Sequence, residues 1–105
     1  MSAIKEIEGI KEKLIELNFN VSSKGFEYWI LLVYNYMTNK GKKYFNLEMI
    51  YRDIASNYNT TRDRVERNIR TCAKQALPTI REYYKYKNRR LSTKDILELI
   101  YMEMV

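Results

Sequence analysis

Apolar residues recur every three or four positions in several segments of the chain, which is the spacing of an amphipathic helix. A first helix is predicted after Ser2, its capping residue, with an inward stripe that consists of Ile4, Ile7, Ile10, Leu14 and Leu17. A second is predicted from Ser22 or Ser23 to about Gly41, with an inward stripe that consists of Phe26, Trp29, Ile30, Val33 and Met37. No segment alternates between apolar and polar residues in the manner of a strand.

The middle of the chain has the same helical spacing in two further segments. A third helix is predicted from about Asn46 to Asn57, with an inward stripe that consists of Leu47, Ile50, Tyr51, Ile54 and Ala55. A fourth should begin in the sequence Thr60-Thr61-Arg62-Asp63, which has the residue pattern of a capping box. It should end near Leu77, because Pro78 lacks the amide hydrogen that a helix interior requires.

Two segments follow Pro78. The first is a short helix that Pro78 itself can open and that should continue through Tyr84. The second is the last helix, which begins at another capping box, Ser92-Thr93-Lys94-Asp95, and has an apolar stripe of Ile96, Leu97, Ile100, Tyr101 and Met104. The sequence therefore predicts an all-α fold, a single compact domain of five or six helices over residues 1–105.

The two helices predicted over about 47–77 have the features of a helix-turn-helix. Ala55 is small enough to let a second helix cross close to the first. Asn59 follows four residues later, where the turn needs a residue that tolerates a positive φ angle. Val65 and Ile69 supply the apolar contacts of the second helix, although the last of them falls slightly late in the pattern.

Composition adds a positive charge and removes several kinds of chemistry. The chain has 19 Lys and Arg against 13 Asp and Glu, and residues 61–90 alone carry ten basic and three acidic side chains. Such a basic block within a folded domain is typical of a protein that binds a polyanion. One Cys and no His exclude an internal disulfide and a Cys/His zinc site. Neither paired carboxylates nor a glycine-rich phosphate loop indicates an enzyme, so we expect no catalysis, no cofactor and no metal.

The charge lies on one side of the fourth helix. Its predicted inward arc consists of Val65, Ile69, Cys72, Ala73 and Ala76. Its outward arc consists of Asp63, Glu66, Arg67, Arg70 and Lys74, with Arg64 and Thr71 at the margin. Arginine pairs with guanine edges and with phosphates, and a carboxylate can accept a hydrogen bond from cytosine. The pattern therefore favours contact with double-stranded DNA over a solvated face of alternating Glu and Lys.

The segment NYNTTRDRVERNIR closely resembles the recognition element of the sporulation transcription factor of endospore-forming bacteria, the stage-zero A protein, in its C-terminal DNA-binding domain. The resemblance extends from about Ile10 to the C-terminus. Asp63 and Asn68 depart from it, at positions where the family commonly has Ser and Ala. The resemblance also implies a free-standing effector domain without the receiver domain of the family's full-length members.

For the fourth helix, the resemblance implies insertion into the major groove, with Arg64, Glu66 and Arg67 at base edges and Arg70 nearer the backbone. We therefore predict a sequence-specific, double-stranded DNA-binding transcription regulator that reads the groove with the helix starting near Thr61. The predicted DNA contacts are Thr60, Thr61, Arg62, Arg64, Glu66, Arg67, Arg70 and Lys74.

A second interpretation stays open: a protein-interaction module, or an antagonist of the sporulation regulator, that acts without sequence-specific DNA binding. The resemblance further implies that a second copy or a related regulator on adjacent sites contacts the last helix. We expect a cytoplasmic, nucleoid-associated protein, because the longest apolar run, from Trp29 to Tyr34, is too short to cross a membrane.

Overall fold

The computed structural model describes residues 3–39, 46–85 and 90–104, and within these ranges it has five helices and no strand. The helices are α1 (Ala3–Glu16), α2 (Lys24–Asn39), α3 (Leu47–Asn57), α4 (Arg62–Tyr83) and α5 (Thr93–Met104). They form one globule of 35 × 31 × 28 Å, which confirms the predicted all-α fold. The predicted cap Ser2 and the predicted stop at Gly41 lie outside the described residues.

Helix α2 lies at the centre of the molecule and packs against all four other helices. Its buried residues are Gly25, Phe26, Tyr28, Trp29, Leu32, Val33 and Tyr36. The predicted stripe was therefore too narrow, because Ile30 and Met37 are only half-buried while Tyr28, Leu32 and Tyr36 are buried. A helix with neighbours on several sides buries more than one stripe.

The start of α2 is pressed against the middle of α4. A Cβ atom at Gly25 would overlap the carbonyl oxygen of Asn68 and lie 2.7 Å from the Cβ of Cys72. One turn later, the buried indole Nε1 of Trp29 donates a 2.8 Å hydrogen bond to the carbonyl oxygen of Ile69. Ser23, whose Oγ caps α2 by accepting from the amide of Phe26, also lies 3.3 Å from the thiol of Cys72. These contacts fix α4 on α2 at the level of residues 68–72.

Helix α4 is 22 residues long and continues through Pro78. The predicted break at Pro78 and the separate short helix to Tyr84 are therefore wrong. Proline deprives only one carbonyl, that of Lys74, of its intrahelical partner. Lys74 and Pro78 lie one turn apart on the exposed side, where water can bond that carbonyl. On the opposite side Ala76 and Ile80 are fully buried, so packing favours a continuous helix across the proline.

The predicted stripe of α1 is buried only in part. Ile10, Leu14 and Leu17 are fully buried, whereas Ile4, in the first turn, is 75 % exposed. Burial begins near Gly9, where an added Cβ would lie 3.3 Å from the terminal methyl of Met104 in α5. The apolar period of α1 therefore extends beyond the part of the helix that has a partner.

Replacing Gly25 by alanine is expected to lower the free energy of unfolding by about 1–3 kcal/mol, because the new methyl group would overlap the backbone of α4. Gly9→Ala is the matched control. There the new methyl meets only the flexible end of Met104, and alanine favours a helix interior by up to about 1 kcal/mol. Urea denaturation of both variants measures the difference, and equal stability of the two would contradict the close packing of α2 on α4.

Candidate nucleic-acid interface

The turn between α3 and α4 is closed by main-chain hydrogen bonds. Asn59 has a φ angle of 53°, the left-handed conformation that the sequence predicts at this position. The amide of Thr60 donates to the carbonyl of Ala55 at 2.9 Å, and that of Asn59 donates to Ser56 at 3.4 Å. This pair of bonds ends α3 in a Schellman motif and directs the chain into α4.

The turn is also fixed to α2 through an aromatic contact. The ring of Tyr58 meets the ring of Tyr28 edge to face, with the centroids 5.2 Å apart. The ammonium of Lys24 lies 5.6 Å from the centroid of the Tyr58 ring. Burial raises the pKa of both tyrosine hydroxyls further above its ordinary value, so both rings stay neutral at physiological pH.

Helix α4 is capped by Thr61, whose Oγ1 accepts a 3.2 Å hydrogen bond from the amide of Arg64. The capping box predicted from Thr60 to Asp63 therefore does not form, and α4 begins with the single cap Thr61, one residue later. Thr60 is unsuited to the role because its own amide already ends α3, and the carboxylate of Asp63 accepts a 3.2 Å bond from Arg62 instead. The second capping box does form at α5, where Ser92 and Asp95 bond each other's amides at 3.1 and 2.9 Å.

The two predicted faces of α4 are present in the structure. The inward residues Val65, Ile69, Cys72, Ala73 and Ala76 are all buried. Exposed side chains line the other face over about three turns: Asp63, Arg64, Arg67, Asn68, Arg70, Thr71 and Lys74. Four of the eight predicted contact residues, Arg64, Arg67, Arg70 and Lys74, thus lie on one open surface of α4, whereas Glu66 is half-buried.

The charged side chains of this surface differ in whether they are paired. Arg70 donates from Nη1 to both carboxylate oxygens of Glu66 at 3.0 Å. Arg64, Arg67 and Lys74 make no side-chain hydrogen bond or ion pair to any residue within 3–39, 46–85 and 90–104. Three cationic groups are therefore available to an external anion, whereas Glu66 and Arg70 must first exchange each other for a new partner.

Arg62 is held to α3, across the turn, by a residue that sequence patterns did not identify. Its Nε and Nη2 donate to the two carboxylate oxygens of Glu48 in α3 at 2.7 and 2.8 Å. Its Cζ lies 5.3 Å from the centroid of the Tyr51 ring. The guanidinium lowers the pKa of the Glu48 carboxyl, so the pair stays ionised over the physiological range. Positions 14 residues apart with a turn between them have no periodic relation that reveals such a pair.

The described part of the chain offers no group of three or more His, Cys, Asp or Glu residues that could hold a metal ion. No helix in that part is long and apolar enough to cross a lipid bilayer. Cys72 is buried against Ser23, as expected for a residue of the inward arc.

Comparison with protein families shows what the chain is similar to. The family model described as "Sporulation initiation factor Spo0A C terminal" matches residues 10–98, which include the whole of α2, α3 and α4. This confirms the resemblance inferred from the recognition segment. No curated protein and no solved structure matches the chain.

Thr61→Ala is expected to lower the free energy of unfolding by about 1 kcal/mol, because the amide of Arg64 loses its capping acceptor. Thr60→Ala is the control, since its side chain caps neither helix. Thermal melting followed by circular dichroism measures both. A larger loss for Thr60→Ala than for Thr61→Ala would place the start of α4 one residue earlier.

Proposed function

The chain belongs to the family of the sporulation initiation factor Spo0A C-terminal domain, a DNA-binding effector domain, and we propose that it is a sequence-specific, double-stranded DNA-binding transcription regulator. The observation that carries this proposal is the exposed face of α4, where Arg64, Arg67 and Lys74 are unpaired within the described residues. That face belongs to the second helix of a helix-turn-helix, the element that enters the major groove in this class of proteins.

The dimensions of α4 suit this role. A helix with its side chains is about 10–12 Å wide and the major groove is about 12 Å wide, so one helix fills it. The N-terminal turns of such a helix reach the base edges. We therefore assign base contacts to Arg64, Glu66 and Arg67, with arginine pairing to guanine and the carboxylate accepting from cytosine.

Backbone contacts are assigned to residues at the edges of this surface. Thr60 and Thr61 stand at the positive end of the helix dipole, where phosphates bind. Lys74 is seven residues beyond Arg67, or about 10 Å along the helix axis, so it meets the flanking phosphates rather than the same base pair. Arg70 lies between these regions and reaches the backbone once it leaves Glu66.

The last helix supports a further part of the proposal, contact with a second copy or a related regulator bound to an adjacent site. Ile96, Leu97 and Ile100 are buried, so α5 is first of all part of the core. Met102, however, is 70 % exposed and offers an apolar contact on the outer side of α5. The proposed place of action is the bacterial nucleoid in the cytoplasm.

DNA affinity is expected to fall steeply with salt, because each phosphate contact releases condensed cations. With about 4–7 phosphate contacts, log K against log[salt] should have a slope of roughly −4 to −6. Fluorescence anisotropy with a labelled duplex over a range of salt concentrations gives the slope. A salt slope near zero, or no binding to the duplex, would favour the second interpretation, a protein-interaction module that acts without sequence-specific DNA binding.

Arg67→Ala should weaken binding to a selected duplex by about 1–3 kcal/mol and relax the preference at one base pair, because the guanidinium pairs with one guanine. Lys74→Ala should weaken binding to all duplexes alike and reduce the salt slope by about one unit. Each variant is measured on a duplex selected from a random library and on a scrambled duplex. Equal losses for both variants on both duplexes would show that Arg67 does not read sequence.

A further inference from the structure

Four charged side chains join the start of α3 to the start of α4. Glu48 is at the centre and accepts hydrogen bonds from Arg62, at 2.7 and 2.8 Å, and from Arg52, at 3.3 Å. Asp63 completes the group, because it accepts a 3.2 Å bond from the Nη1 of Arg62. Two positive and two negative charges balance, so this corner of the interface has no net charge.

The position of Arg62 makes this neutralisation important. Arg62 is the first residue of α4, at the helix end whose free amides and dipole attract phosphates. The positive end of the helix dipole disfavours a free cation there. An unpaired guanidinium at this place would find its strongest available partner in a DNA phosphate. Glu48 already occupies that role, in a bidentate geometry.

The pair is open to solvent but well oriented. The side chains of Arg62 and Glu48 are 38 % and 41 % exposed, so the pair itself contributes little to stability. The ring of Tyr51 lies against the guanidinium and, being 6 % exposed, is part of the core. Arg62 is thus fixed by α3 from two sides, although solvent and DNA could reach it.

We propose that Glu48 is a specificity-determining residue that keeps Arg62 from contacting DNA phosphates and uses it to position the start of α4. This rests on the proposed DNA-binding function. It also gives Arg62 a role different from the direct DNA contact that the sequence predicts.

The effect on specificity depends on whether base contacts fix the position of α4 on the duplex. On a scrambled duplex no base contacts fix α4, so a released Arg62 could settle on a phosphate and strengthen binding. On a selected duplex, base contacts of Arg67 and its neighbours fix α4. Loss of the Arg62–Glu48 pair, which holds α4 to α3, disturbs these base contacts. Glu48 therefore raises the ratio of selected to scrambled affinity.

Glu48→Ala tests this against Asp53→Ala as the matched control. Asp53 lies on the same helix, is exposed, carries the same charge and makes no side-chain hydrogen bond or ion pair within the described ranges. Glu48→Ala should steepen the salt slope on the scrambled duplex by about 0.9, the value for one added phosphate contact. That is an additional loss of affinity of about 3.5-fold between about 50 and about 200 mM salt. Asp53→Ala should show no such change.

The double variant Glu48→Ala/Arg62→Ala keeps the net charge of the wild type and removes the cation that Glu48→Ala releases. Its salt slope on the scrambled duplex should equal that of the wild type. A slope flatter by about one unit would mean that Arg62 contacts a phosphate in the wild-type complex, and this would overturn the proposal.

A slope for Glu48→Ala that equals that of Asp53→Ala would overturn it as well. In either case steep, salt-dependent binding by the wild type leaves the proposed function standing, whereas a wild type that binds neither duplex contradicts both. Glu48→Gln, which removes the charge but keeps the side-chain length, replaces Glu48→Ala if alanine lowers the melting temperature below that of the binding assay.

Discussion

The close approach of α2 to α4 at Gly25 is the constraint on which the rest of the structure depends. Only a residue without a side chain allows the first turn of α2 to meet the backbone of α4 at Asn68. At that distance the indole of Trp29 reaches the carbonyl of Ile69, a hydrogen bond in the fully buried core. Because α2 also packs against α1, α3 and α5, it transmits this fixed position to every other helix.

Much of the fold could be predicted from the sequence, because periodicity reports which side of a helix is buried when its neighbours all lie on one side of it. It succeeded for α3 and for the inward face of α4, and turn chemistry identified Asn59 as the left-handed residue. It failed where tertiary packing overrides local preference. The buried residues of α2 were underestimated because four helices surround it, and Pro78 did not end α4 because the core on its other side holds the helix.

The sequence predicted which face of α4 carries the candidate site, but it did not predict all the ion pairs that its charged side chains form. The i,i+4 spacing of Glu66 and Arg70 is visible in the sequence and the structure forms that pair. The pairing of Glu48 with Arg62 is not visible, because it depends on how the turn brings two helix starts together. Which cations of a basic segment are available to DNA is therefore a property of the folded structure, although their number is a property of the sequence.

The two ends of α4 are held by different contacts, and the exposed arginines lie between them. At the C-terminal end of α4, the ammonium of Lys13 donates to the hydroxyl of Tyr83 at 2.8 Å, to Glu16 at 2.8 Å and to Glu103 at 3.1 Å. This one cation therefore links α1, α4 and α5. At the near end a cap, a turn and the Arg62 pair fix the first residues of α4. The exposed arginines between the two ends of α4 lie on a backbone that is already ordered before DNA binds. Since ordering a flexible element upon binding costs free energy, this preorganisation leaves more of the contact energy for the affinity for DNA.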